Sequence, residues 1–221
     1  MPIDPQYWAW LNAEWNAGRL MRPGAALTAL RTHPRNFLRK FPIQGNFDPM
    51  VSGMTTAYLF NGAAGQRPGA ILKTARMHTT ETFNIQPMPG QLGEGHPFPV
   101  HGVHTGQSSA GPVWYRLDGG GPDLMLTAKL TGCTFVARPV AGTPGAVEVT
   151  HLQPHNETGQ QLNARMDVPG QQAWGRFKYD IDSRSVNVIG VRVAGQWKIY
   201  AQKIDKHAMT IRSVHRIYPP E

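Results

Sequence analysis

From about residue 50 onward, apolar and polar positions alternate over short runs, the two-residue period of half-buried strands. The clearest case is Val186, Val188, Val191 and Val193, separated mostly by small or polar residues. After Ala194-Gly195, Trp197, Ile199 and Gln202 continue it, so the pair reads as a β-hairpin. Similar runs cover Thr55–Phe60, Val113–Leu117, Leu124–Ala128, Cys133–Val140, Ala146–Leu152, Trp174–Tyr179 and Met209–Tyr218. Eight or so strands at this spacing, with turn residues between them, predict a sandwich or a strongly curved sheet.

The first 45 residues follow a different rule. After Asp4-Pro5, a capping carboxylate and a proline with its φ already set, Tyr7, Trp8, Leu11 and Trp15 recur at helical spacing up to Gly18. Ala25–Arg31 and Pro34–Phe41 read as two further short helices. The expected class is α+β, mainly β, with a curved β-sandwich flanked by helices: a short helical N-terminal region, residues 1–45, then a β domain over 46–221. Within the β domain, residues 86–112 hold six Gly and five Pro without a sustained period, which predicts a long loop, lid-like or disordered.

Composition narrows the classes. Lys and Arg number 22 against 14 Asp and Glu, a net charge of +8. Residues 1–45 carry six of the positive and two of the negative charges, so this Trp-rich, basic piece is a candidate for contact with an anionic membrane or a partner; its plainer role is to cap the core. Beyond it the basic residues are scattered and no recognition-helix or RNA-module signature appears, so no nucleic-acid partner is expected. Neither an apolar stretch of spanning length nor a basic and apolar secretory leader is visible in the sequence. His96, His101 and His104 match no zinc-ligand spacing, and Gly119-Gly120-Gly121-Pro122 lacks the Lys-Ser/Thr of a phosphate loop.

There is one cysteine, which excludes an intrachain disulfide framework and a thiolate zinc cluster. Cys133 follows Gly132 at the start of an extended run, where a glycine lets backbone approach closely and amides point at a developing oxyanion. Val147-Glu148-Val149-Thr150-His151 forms the next run, after the turn Ala141-Gly142-Thr143-Pro144-Gly145. Two antiparallel strands joined there bring Cys133 and His151 together across a hairpin, as a Cys–His dyad requires. The competing reading of a lone cysteine is a small buried hydrophobe in a non-enzymatic β-sandwich binding module. A papain-like protease is disfavoured, because that fold starts a helix at its cysteine and the residues here are β-branched and extended.

The run Leu130-Thr131-Gly132-Cys133-Thr134, followed by a strand and a hairpin-partner histidine, resembles the Leu-Ser-Gly-Cys motif of the bacterial glutamine deamidase toxins, the group of cytotoxic necrotizing factor and Burkholderia lethal factor. Thr131 stands where that motif usually has Ser, and the likeness covers Leu124 to Pro154. It implies Cys133 as nucleophile, His151 as general base and acid, and the backbone of Cys133 and Gly132 at the oxyanion. Lethal factor has a Thr six residues before its Cys, which falls here on Thr127 as candidate orienter of His151. No cofactor or metal is implied. The implied activity is deamidation of a glutamine on a host protein, a small Rho-type GTPase or alternatively a translation-initiation helicase. Transglutamination is the variant reaction of the same dyad. The implied setting is a secreted effector acting in the host cytoplasm, without a classical signal peptide, and a monomer is expected.

Overall fold

In the computed structural model, residues 9, 12–14, 16–45, 47–61, 83–86, 95–179, 184–205 and 210–221 are described. Strands make up 45% of the chain and helices 21%, so the protein is α+β and mainly β. The expected helix through Tyr7, Trp8, Leu11 and Trp15 lies largely outside the described residues.

Thirteen strands are defined among the described residues: β1 (Ile43–Gly45), β2 (Gly53–Asn61), β3 (Phe83–Gln86), β4 (His96–Val103), β5 (Thr105–Gln107), β6 (Tyr115–Leu117), β7 (Leu124–Thr127), β8 (Thr134–Pro139), β9 (Val147–Gln153), β10 (Gln172–Trp174), β11 (Arg184–Val193), β12 (Gln196–Asp205) and β13 (Ile211–Tyr218). Three α-helices accompany them, α1 (Pro23–Thr32), α2 (Pro34–Lys40) and α3 (Gly159–Met166). An eight-stranded sheet runs in the order β1-β3-β2-β4-β7-β11-β12-β13. A second sheet runs β10-β8-β9-β5, with β6 also pairing β9. Both sheets are curled, and together they form a half-barrel.

Side-chain alternation explains how the layers stack. On β7, Leu124 and Leu126 join the apolar cluster shared with Ala26, Leu27 and Leu30 of α1 and with Phe37 and Leu38 of α2. Met125, the residue between them, belongs to a second cluster with Phe135, Ala137, Val147 and Val149 of the smaller sheet. Each β7 residue is buried, as expected for a central strand covered on both faces. A third cluster, Val136, Leu152, Leu162, Met166 and Ala173, seats α3 on the outer face of the smaller sheet. The order is therefore helices, large sheet, small sheet, helix.

Local chemistry sets the helix ends. α1 and α2 each carry proline in the first turn, where a missing N–H costs nothing. α3 opens on a capping box, with Thr158 Oγ1 accepting from Gln161 N–H and Gln161 Oε1 accepting from Thr158 N–H. The fully buried Gln202 ties α2 to the large sheet, since its Nε2 donates to Leu38 O at 2.6 Å and to Phe41 O at 2.7 Å.

Two expectations change. Much of the predicted 86–112 loop is sheet: β4 sits inside the large sheet and β5 edges the small one, while residues 87–94 lie outside the described residues. β4 accommodates Pro97 and Pro99 because β7 pairs only with His101–Val103, which leaves that edge unpaired along the prolines. Trp174–Tyr179 is not one strand; β10 ends at Trp174 and a 3-10 turn covers Arg176–Lys178. Gly175, between them, is still extended and is packed so closely that a Cβ there would lie 2.3 Å from Thr134 Oγ1 and 2.7 Å from Asn163 Oδ1.

Candidate active site

β8 and β9 form the predicted antiparallel hairpin, with Phe135 opposite His151 and Thr134 opposite Leu152. Cys133 lies one residue before β8 and two before Phe135, so it is a diagonal neighbour of His151 rather than its direct partner. Both belong to the face turned toward the large sheet, where Cys133 packs, partly buried, against the inter-sheet cluster. Diagonal neighbours on one face remain within reach of longer side chains.

His151 is 1% exposed and is held from two sides. Thr127, which reaches across from β7 of the large sheet, places Oγ1 2.7 Å from His151 Nδ1. The same hydroxyl donates its proton to Val103 O at 2.7 Å. With that proton committed, Thr127 Oγ1 can only accept from the ring, which puts the imidazole proton on Nδ1 and leaves Nε2 a bare lone pair. Thr105 Oγ1 lies 3.1 Å from the same Nδ1, because β5 runs beside β9 with Thr105 in register with His151. Among the described residues, His151 Nε2 is buried and has no hydrogen-bond partner. A buried polar atom left unpaired costs about 1–3 kcal/mol.

The chain matches no protein-family model and no curated protein. What the site can do must be read from its own electrostatics.

Burial, with a smaller electrostatic contribution from the neighbouring His104, pushes the His151 ring down to about 3, so it is neutral at physiological pH. Burial also pushes the Cys133 thiol up to about 11; a hydrogen bond from the Thr131 backbone works against this and the Asp48 carboxylate adds to it. The resting pair is thus a neutral thiol beside a neutral imidazole, not a thiolate–imidazolium pair. No hydrogen bond joins the thiol to the ring.

The expected oxyanion donors fare differently from the side chains. Gly132 N–H, expected to face the oxyanion, instead donates to the Tyr179 hydroxyl at 3.0 Å, and that hydroxyl donates to Cys133 O at 2.8 Å. Gly132 has φ +149°, a backbone conformation that glycine tolerates and L side chains rarely adopt. Two residues at the centre escaped the sequence reading. Thr105 lay in a segment expected to be loop, where Gly and Pro interrupt any two-residue period. Tyr179 lay at the end of a run read as a strand.

The loop histidines have other partners. His101 Nδ1 is 2.8 Å from the Tyr115 hydroxyl, and its ring packs edge-on against Trp197. His104 Nδ1 donates to Pro49 O at 2.8 Å. Among the described residues, no group of three or more His, Cys, Asp or Glu side chains is arranged to hold a metal ion.

Proposed function

We propose that the chain is a protein-glutamine deamidase of the bacterial effector type, with Cys133 as nucleophile and His151 as general base and acid. One observation carries this reading: Thr127, bonded to Val103 O, holds the His151 ring with its unpartnered Nε2 on the sheet face it shares with Cys133. An imidazole so oriented is built to accept a proton.

In the proposed reaction, Cys133 Sγ attacks the carboxamide carbon of a glutamine side chain as its proton passes to His151 Nε2. The resulting oxyanion collapses, the C–N bond breaks, and the imidazolium returns its proton to the departing amine, releasing ammonia. Water then adds to the thioester with Nε2 again as base, the C–S bond breaks, and glutamate and the free thiol result. Interception of the thioester by an amine would give transglutamination instead. Because the thiol rests neutral, proton transfer accompanies attack rather than preceding it.

The substrate class, a host small Rho-type GTPase or alternatively a translation-initiation helicase, rests on the likeness of Leu130–Thr134 to the deamidase toxins, as does action as a secreted effector in a host cytoplasm. A second reading, a β-sandwich binding module with Cys133 as packing, is favoured by the burial that raises the thiol. Mass spectrometry of both protein classes incubated with the wild type and with Cys133→Ser separates the readings. Conversion of one glutamine to glutamate by the wild type alone supports the deamidase. No change at any glutamine in either class favours the binding module.

A further inference from the structure

We infer that Tyr179 is a positioning residue whose hydroxyl latches the Gly132–Cys133 turn and so sets the direction from which the nucleophile attacks; this rests on the reading of Cys133 as nucleophile. The phenol spans that dipeptide, accepting from Gly132 N–H at 3.0 Å and donating to Cys133 O at 2.8 Å. Tyr179 itself is buried in the inter-sheet layer, so water does not compete for these groups. The 3-10 turn at Arg176–Lys178, directly after β10, delivers the ring, and β10 pairs with β8, the strand that Cys133 precedes.

The turn needs a latch because sterics alone do not hold it. At Gly132, φ is +149° and no atom of the described residues lies within 4 Å of where a Cβ would stand, so none of their side chains restrains it from the Cβ side. On the other side, Gly159 at the start of α3 approaches Gly132 O so closely that its own Cβ would be 2.8 Å away. The carbonyl of Gly132 is thus boxed in by α3, while its amide and the carbonyl of Cys133 are held by the phenol. A phenol that accepts from one amide is polarised toward donating to the next acceptor, which strengthens the pair of bonds. The same occupation takes Gly132 N–H out of the oxyanion role, so the phenol's part is to hold the nucleophile and not to bind the substrate.

The test compares wild type, Tyr179→Phe and Tyr115→Phe, the last removing a phenol from the same inter-sheet layer that bonds His101 instead. Two readouts are used: deamidation kinetics on a responding substrate, and the pH midpoint of Cys133 alkylation by iodoacetamide in the folded protein. With the latch gone, kcat falls on the order of 10²-fold with KM unchanged, the loss expected for a misplaced reacting group, and the alkylation midpoint moves down as the thiol loosens from its buried seat. Tyr115→Phe leaves both readouts at wild-type values. Should Tyr179→Phe not fold, Gly132→Ala strains the same turn through φ alone and is expected to give the same two changes. Wild-type kcat and midpoint in the Tyr179→Phe or Gly132→Ala protein would overturn the latch, and so would equal effects from Tyr115→Phe. A wild type that deamidates nothing would instead overturn the reading of the reaction, and the alkylation arm would still report on the latch.

Discussion

Replacing Thr127 with Val tests the orientation of His151 most directly, because it keeps the volume of the side chain and removes one oxygen. That oxygen makes two buried bonds of 2.7 Å, accepting from His151 Nδ1–H and donating to Val103 O. Thr127 is 6% exposed, so water does not replace either bond. Leaving a buried carbonyl without its donor costs about 1–3 kcal/mol, which for a chain of this size lowers the melting temperature by roughly 2–4 °C per kcal/mol. The loss should not exceed that range, because Nδ1 keeps Thr105 Oγ1 at 3.1 Å. The kinetic effect has a different origin. Among the described residues the Thr105 hydroxyl has no acceptor other than the ring, so it can donate to Nδ1 as readily as accept from it. The tautomer with the proton on Nε2 then becomes populated, and that tautomer has no lone pair for the thiol. General-base catalysis is worth roughly 10²–10⁴-fold, so kcat is expected to fall by at least the lower figure. Nitrogen NMR of the His151 ring reads the tautomer directly and thermal unfolding reads the stability, while Thr127→Ser, which restores the hydroxyl, should return both. A Val variant that keeps the Nδ1–H tautomer and wild-type melting would refute the reasoning.

The remaining expectations follow from burial. His151 sits near 3 in the folded protein against an ordinary value of 6.5. The unfolded chain therefore binds the extra proton between those values, and stability present above pH 6.5 is lost as pH falls, by at most about 1.4 kcal/mol per pH unit from this group. Urea titrations across that window check this, and His151→Gln should flatten the slope; a wild type equally stable at pH 4 and pH 7 contradicts it. The thiol, raised from 9 to about 11, should react with iodoacetamide near neutral pH about 100-fold more slowly in the folded protein than in urea, and equal rates would show the burial to be unreal. Gly175→Ala drives a Cβ within 2.3 Å of Thr134 Oγ1 and should lower the urea midpoint by the equivalent of about 1–3 kcal/mol, as overpacking does; an unchanged midpoint would mean that the β10 connection moves freely.

Local features were legible where a strand and its partner are neighbours in the chain. The β11–β12 hairpin follows from the valine alternation and Ala194-Gly195, both of which take the positive φ that a tight two-residue turn requires. The β8–β9 hairpin follows in the same way, and with it the shared face of Cys133 and His151. Their offset of two residues was not legible, since it depends on where the five-residue turn closes the ladder. β4 was hidden by its prolines, which are tolerated only because β7 pairs with the other end of that strand. Thr105 and Thr127 reach His151 along quite different routes, one within the small sheet and one across from the large one. Such contacts depend on sheet order and on packing between sheets, and the hydrophobic period carries neither.

The electrostatics define what a substrate must supply. Thiol and imidazole lie about eight pH units apart, near 11 and near 3, so forming the ion pair from isolated groups is uphill by on the order of 11 kcal/mol. Mutual attraction at hydrogen-bonding distance returns about 4 kcal/mol at an effective dielectric constant of about 20, leaving roughly 7. Turnover at 1–10³ per second corresponds to a total barrier of about 13–17 kcal/mol. A stepwise route through a free ion pair would leave only about 6–10 kcal/mol for attack on the amide, which favours transfer of the proton as attack proceeds. On either route the developing oxyanion needs hydrogen-bond donors once substrate is bound, and Gly132 N–H is already taken by the Tyr179 hydroxyl. The free protein is consequently expected to be a poor general nucleophile, its buried thiol resting well above the ordinary range beside a ring that burial keeps neutral.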